Sequence, residues 1–132
     1  MAWQTPVCDR TADDVASGAD SCYFNSQTLN RIEGNIAVLA ALFNVEVHTK
    51  TWVPTEFLTV YEWKRILQDL QAVRDAYVAL PGLPEVPPMP ATLWSDVNSI
   101  EQILSEQHDL WIRNRAHVDY AGELFADTGG IL

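Results

Sequence analysis

A chain of 132 residues has room for one domain and none for a barrel or for an enzyme with a second lobe. Hydrophobic residues make up 48% of it and five Trp are among them, enough apolar area to offset chain ordering and to argue against intrinsic disorder. Eighteen acidic against eight basic side chains give a net charge of −10, which makes nucleic acid a poor partner because phosphate tracking needs clustered Lys and Arg.

Cys8 and Cys22 lack both CxxC spacing and the His partners of a zinc site, so free thiols are expected, with a local disulfide as the alternative. The start of the chain has no basic cluster followed by an apolar run, so no signal peptide is expected. The longest apolar stretch, residues 36–43, falls far short of the roughly 20 residues of a membrane span. The pattern predicts a soluble protein.

Residues 1–25 are polar and read as an N-terminal arm, lying on the body of the domain or reaching toward another chain, and deletion of residues 1–10 is expected to leave the fold intact and impair assembly. Thr11 and Asp14 suggest one capped turn, ended by Gly18. The first convincing helix is predicted over 26–43, with Asn25 as N-cap and a staple between Phe24 and Leu29. Leu29, Ile32, Ile36, Leu39 and Phe43 recur at three- and four-residue spacing and define its buried face.

From Val45 to Val53 the period changes to two, and β-branched residues suggest an extended segment or one short β element before Pro54. A lone strand needs a partner, and residues 121–125 are the best candidate. A second helix should begin at Thr59, where Thr59 and Glu62 form a capping box, and run to Leu80 on the seam Trp63, Ile66, Leu70, Val73, Tyr77 and Leu80. Residues 81–90 hold five of the seven prolines and predict a stiff connector. Its prolines at every third position also match one edge of a polyproline ligand, although the basic residue such ligands carry is missing.

A third helix is predicted from Ser95 to about Ala116, with Val97, Ile100, Leu104 and Trp111 as its stripe and Ile103 and Leu110 beside it. Residues 117–132 read as an extended C-terminal tail. The fold class expected is therefore all-α: a three-helix bundle over 26–116 with extended arms at both ends and one short β element.

Residues 29–36, LNRIEGNI, and 97–104, VNSIEQIL, both set Asn and Glu around a central Ile. An ancient duplication explains this likeness, and so does the common grammar of amphipathic helices.

Catalytic chemistry is hard to find. His48, His108 and His117 sit in separate segments without the i, i+4 spacing of paired ligands, so no metal and no cofactor are expected. Glu101, Glu106 and Asp109 could line one side of the third helix, and a solvated acidic face is the simpler account than acid–base catalysis. Trp3, Trp52 and Trp94 lie outside the helical seams, and with Tyr120 and Phe125 of the tail they are the candidate interface residues, since exposed aromatics dominate binding hot spots.

The succession LNRIEGNIAVLA, HTKTWVPT, a helix with IxxxLxxVRxAY, a proline-rich crossing, NSIEQIL and YAGELFADTG resembles a module of phage and prophage tail-associated minor structural proteins of Gram-positive bacteria. The likeness spans residues 9–128 and is most specific at 29–33, 50–52, 98–101 and 120–123. It implies a non-enzymatic virion component made in a bacterial cytoplasm, whose partners are other virion subunits in a homo-oligomer or symmetric assembly, with neither nucleic acid nor membrane bound. A bacterial adaptor that binds a peptide or helix is the alternative, and a small metal-dependent hydrolase ranks third.

Overall fold

The computed structural model describes residues 3–13, 26–88 and 94–126, with side chains described in the last stretch only over 95–115. Three helices carry the fold: α1 (Ser26–Phe43), α2 (Val60–Asp75) and α3 (Trp94–Ala126). Each packs against the other two, giving an all-α three-helix bundle.

The apolar stripes close on one another as their spacing demands. Leu29, Ile32, Ile36 and Leu39 of α1, Trp63, Ile66, Leu70 and Val73 of α2, and Val97, Ile100, Ile103 and Leu104 of α3 form one buried core. Each fully buried Leu or Ile contributes about 1.5–3 kcal/mol of transfer free energy. The bounds of α1 agree with its periodicity, while the expected cap at Asn25, Phe24 of the staple and most of the short turn begun at Thr11 lie outside the described residues. Asn44 ends α1 in the left-handed region (φ 58°), which Asn tolerates, and Val45 N–H closes the turn on the Ala40 carbonyl at 2.9 Å. Thr59 caps α2 as expected, its Oγ1 accepting from Glu62 N–H at 3.2 Å.

Three sequence expectations are corrected. Helix α2 stops at Asp75 rather than Leu80, because Tyr77 leaves the helical path to stack on Phe43 at 4.6 Å and to take a hydrogen bond from Asn114 Nδ2 on its hydroxyl at 2.8 Å. Leu80 is then half-exposed, and Pro81-Gly82 makes a turn of its own, with Gly82 at φ 94° and Leu83 N–H on the Leu80 carbonyl at 3.1 Å. Helix α3 does not end at Ala116 but continues to Ala126, so residues 117–126 are helical and 121–125 are no strand partner. Between Ala116 and Ala126 there is no proline and a single Gly122, and Ala, Glu and Leu supply helix propensity that a turn-rich reading underweights.

No strand occurs among the described residues, and the twofold period of residues 45–53 holds in part, alternating over 45–48 and again over 51–53 with its phase shifted in between. Val45, Val47 and Trp52 turn toward the core while Glu46, His48, Thr51 and Val53 face solvent. Alternate backbone N–H groups find helix side chains in place of a neighbouring strand: His48 N–H donates to Asp69 at 3.2 Å, Lys50 N–H to Glu33 at 3.0 Å and Trp52 N–H to Asn30 at 2.6 Å. Buried backbone donors must be paired, and here carboxylates and an amide on α1 and α2 act as the missing ladder.

Candidate functional site

The extended segments are held in the grooves between helices by side-chain amides. Asn30 accepts from Trp52 N–H and returns its Nδ2–H to the Trp52 carbonyl at 2.9 Å. Asn98 does the same to Arg10, accepting its N–H at 3.2 Å and donating to its carbonyl at 2.9 Å. Asn35 grips Gln4 in the same reciprocal way, at 2.9 and 2.7 Å. Residues 3–10 are thus bound across α1 and α3, and residues 48–52 across α1 and α2.

Three positions beyond each of the first two Asn residues stands a buried carboxylate that receives the side chain of the gripped residue. Glu33 accepts the Trp52 indole N–H and a forked pair from Arg65, at 2.6 and 3.1 Å. Glu101, fully buried, accepts from Arg10 Nη2 at 2.6 Å and from Arg31 Nε and Nη2 at 2.6 and 3.0 Å. The likeness between LNRIEGNI and VNSIEQIL is therefore a working unit, Asn-x-x-Glu, in which Asn seizes a backbone and Glu the side chain on it.

Arginine ion pairs tie each station into the frame of the bundle. Arg65 bridges Glu33, Glu62 and Asp69 and is held well above its ordinary pKa, chiefly by its hydrogen bonds to Glu33 and also by those to Glu62. Glu101 was expected on a solvated acidic face; the rotation of α3 buries it with Ile100 and Leu104, while Glu106 and Asp109 do face solvent.

The candidate interface residues separate. Trp52 is a core residue, 3% exposed and anchored to Glu33, so it offers no surface. Trp3 is half-buried and stacks on His108 with ring centroids 3.7 Å apart. The side chains of Trp94, Tyr120 and Phe125 lie outside the described set. The N-terminal arm lies on the body, where Arg10 enters the interior and shares Glu101 with Arg31. Cys8 is a free, half-buried thiol whose pKa burial pushes up, with Glu101 adding to the rise; Cys22 is outside the described residues. His108 is held below its ordinary pKa by burial, against the opposing pull of Asp109.

No protein-family model, curated protein or solved structure matches this chain. Its surface chemistry must be read from the fold itself. Among the described residues no group of three His, Cys, Asp or Glu side chains converges on a metal position, and no described helix is long and apolar enough to cross a membrane.

Two apolar surfaces stand out, neither legible from helical periodicity. Val53, Phe57, Val60 and Tyr61, on the loop before α2 and its first turn, are exposed, Phe57 to 88%. At the other end of α2, a cleft of about 560 Å³ opens between residues 78–83 and α3, walled by Val78, Leu80, Leu83, Leu110 and Ile112 and rimmed by Glu106, Asp109 and Arg113. Residues 83–88 continue from it along α2, held by Arg74, whose Nε donates to the Pro84 carbonyl at 2.8 Å. Pro87 is buried there, so the described part of the proline run is a seated connector.

Proposed function

We propose that this chain is a non-enzymatic structural or adaptor component of a bacteriophage particle, associated with the tail and working through contacts with other virion subunits. The phage setting rests on the sequence resemblance. The observation that carries the mode of action is the exposure of Val53, Phe57, Val60 and Tyr61, four bulky apolar side chains within nine residues, on a body whose buried carboxylates are all engaged in ion pairs. A run of bulky apolar groups in water is costly to a free monomer and favourable at a protein interface, where aromatic residues concentrate binding energy.

The test is incorporation. Particles purified from the host should contain the chain in stoichiometric amount by immunoblot, and Phe57→Ser with Tyr61→Ser should abolish incorporation while leaving thermal stability unchanged. Particles that lack the chain, or that take up the double variant normally, would refute the assignment. A second reading, an adaptor that seats a peptide, is favoured by the cleft beside α3.

A further inference from the structure

Residues 3–10 stand to the rest of the chain as a ligand stands to a receptor. They run antiparallel to α3, with Arg10 at Asn98 and Glu101 and Trp3 stacked on His108, while Asn35 of α1 closes on Gln4. Asn35 and Glu101 are fully buried beneath them. Yet the arm supplies no member of the buried hydrophobic core, whose first residue is Leu29; Trp3 only packs against it from outside. The three apolar stripes close without the arm.

Withdrawal of the arm also leaves the interior charges paired. Glu101 keeps Arg31, through Nε at 2.6 Å and Nη2 at 3.0 Å, and Arg10 regains water together with the segment that carries it. The groove then presents amide and carboxylate groups, which water satisfies, at Asn35, Asn98 and Glu101. Residues 11–25 join the arm to α1, and a linker of about 15 residues spans up to about 50 Å, against a radius of gyration of about 14 Å for a folded domain of this length. The arm is thus long enough to reach the same groove on an adjoining molecule.

We infer that the groove of α1 and α3 is an arm-exchange site: in an assembly it takes residues 3–10 of a second copy of this chain, with Gln4 on Asn35, Arg10 on Asn98 and Glu101, and Trp3 on His108. Contacts made within one chain and between two are the same, so exchange sacrifices no interaction and is governed mainly by concentration. A tethered arm meets its own groove at an effective concentration in the millimolar range. Dilute chain therefore closes on itself, and copies held side by side exchange arms and are linked by them. The inference rests on the reading of this chain as an assembly subunit and names its partner. Its test uses purified chain, without particles and without Phe57, so its failure and that of the incorporation test are distinguishable.

Full-length chain carrying Cys8→Ser and Cys22→Ser takes a nitroxide at Thr5→Cys, an exposed position of the arm, and is mixed with an equal amount of ¹⁵N-labelled chain that has no nitroxide. Broadening of amide resonances of residues 31–35 and 98–108 in the ¹⁵N copies then reports an arm arriving from another molecule. Their intensity should fall by less than about a twentieth at 0.05 mM total chain and by about a fifth or more at 1 mM, as millimolar competition from the tethered arm requires. Arg10→Glu on the nitroxide copies should abolish the effect, and Phe57→Ser should leave it unchanged. In a second measurement, a fluorescein-labelled peptide of residues 1–12 with Cys8→Ser should bind full-length Arg10→Glu chain, whose own arm is repelled by Glu101, at least about tenfold more tightly than the parent chain. The inference is overturned if Arg10→Glu unfolds the chain, if no broadening develops at 1 mM, if broadening persists with Arg10→Glu or needs Phe57, or if the peptide does not distinguish the two chains.

Discussion

Replacing Glu101 by Gln removes one charge from the interior and leaves the shape of the side chain almost unchanged. Glu101 is wholly buried and takes three cationic hydrogen bonds, from Arg10 Nη2 at 2.6 Å and from Arg31 at 2.6 and 3.0 Å. The Arg31 side chain is 14% exposed and can lean toward water, but that of Arg10 is 0% exposed and cannot. The substitution therefore strands a guanidinium in the interior, which costs about 3–5 kcal/mol by comparison with other broken buried pairs. A domain of this size holds roughly 5–15 kcal/mol in all, so about a fifth of the stability or more is at stake. In urea, with a slope of about 1.5–2 kcal/mol/M, the midpoint should fall by roughly 1.5–3 M. Glu106→Gln, an exposed position on the same helix, serves as control and should stay within about 0.5 kcal/mol of the parent. Adding Arg10→Met to Glu101→Gln should recover part of the loss, because the stranded charge is gone. A Glu101→Gln midpoint no lower than that of Glu106→Gln would refute the assignment of Glu101 as a compensated interior charge.

Other outcomes follow from the same frame. Leu70, fully buried on α2, should lose about 2–5 kcal/mol on truncation to Ala, and a melting temperature unchanged in Leu70→Ala would contradict the seam. Asn98→Ala removes both bonds to the Arg10 backbone and should cost about 1–3 kcal/mol; amide hydrogen exchange should quicken over residues 7–10, and unchanged protection there would count against the clip. Burial beneath Trp3 holds His108 below its ordinary pKa of 6.5, so over that window the unfolded chain binds more protons than the folded one. Stability should be full above about pH 6.5 and fall as the pH drops toward the folded pKa of His108. His108→Gln should flatten that part of the urea profile, and an equal slope in both proteins would reject the linkage.

Legibility followed the range of the interaction. The span of α1 and the cap that Thr59 places on Glu62 N–H are local properties, and four or five residues of context suffice to read them. The end of α2 is not legible in the sequence, because Tyr77 and Leu80 continue the heptad spacing and nothing near them in the chain announces Phe43 and Asn114. The likeness between residues 29–36 and 97–104 is visible in the sequence, where amphipathic grammar accounts for it; its role in gripping Trp52 and Arg10 depends on segments distant in the chain.

Amphipathic spacing alone determined that three helices would form and which stripes they would bury, because burial of apolar area depends on pattern and hardly on the identity of the partner. Tertiary structure alone decided what became of the polar residues. Glu101 and Glu106 are the same letter on the same helix; one meets Arg10, 91 residues away in the chain, and the other meets water. Whether a charge is buried depends on a directional partner being brought to it, and that partner's arrival is fixed by packing rather than by any neighbouring residue.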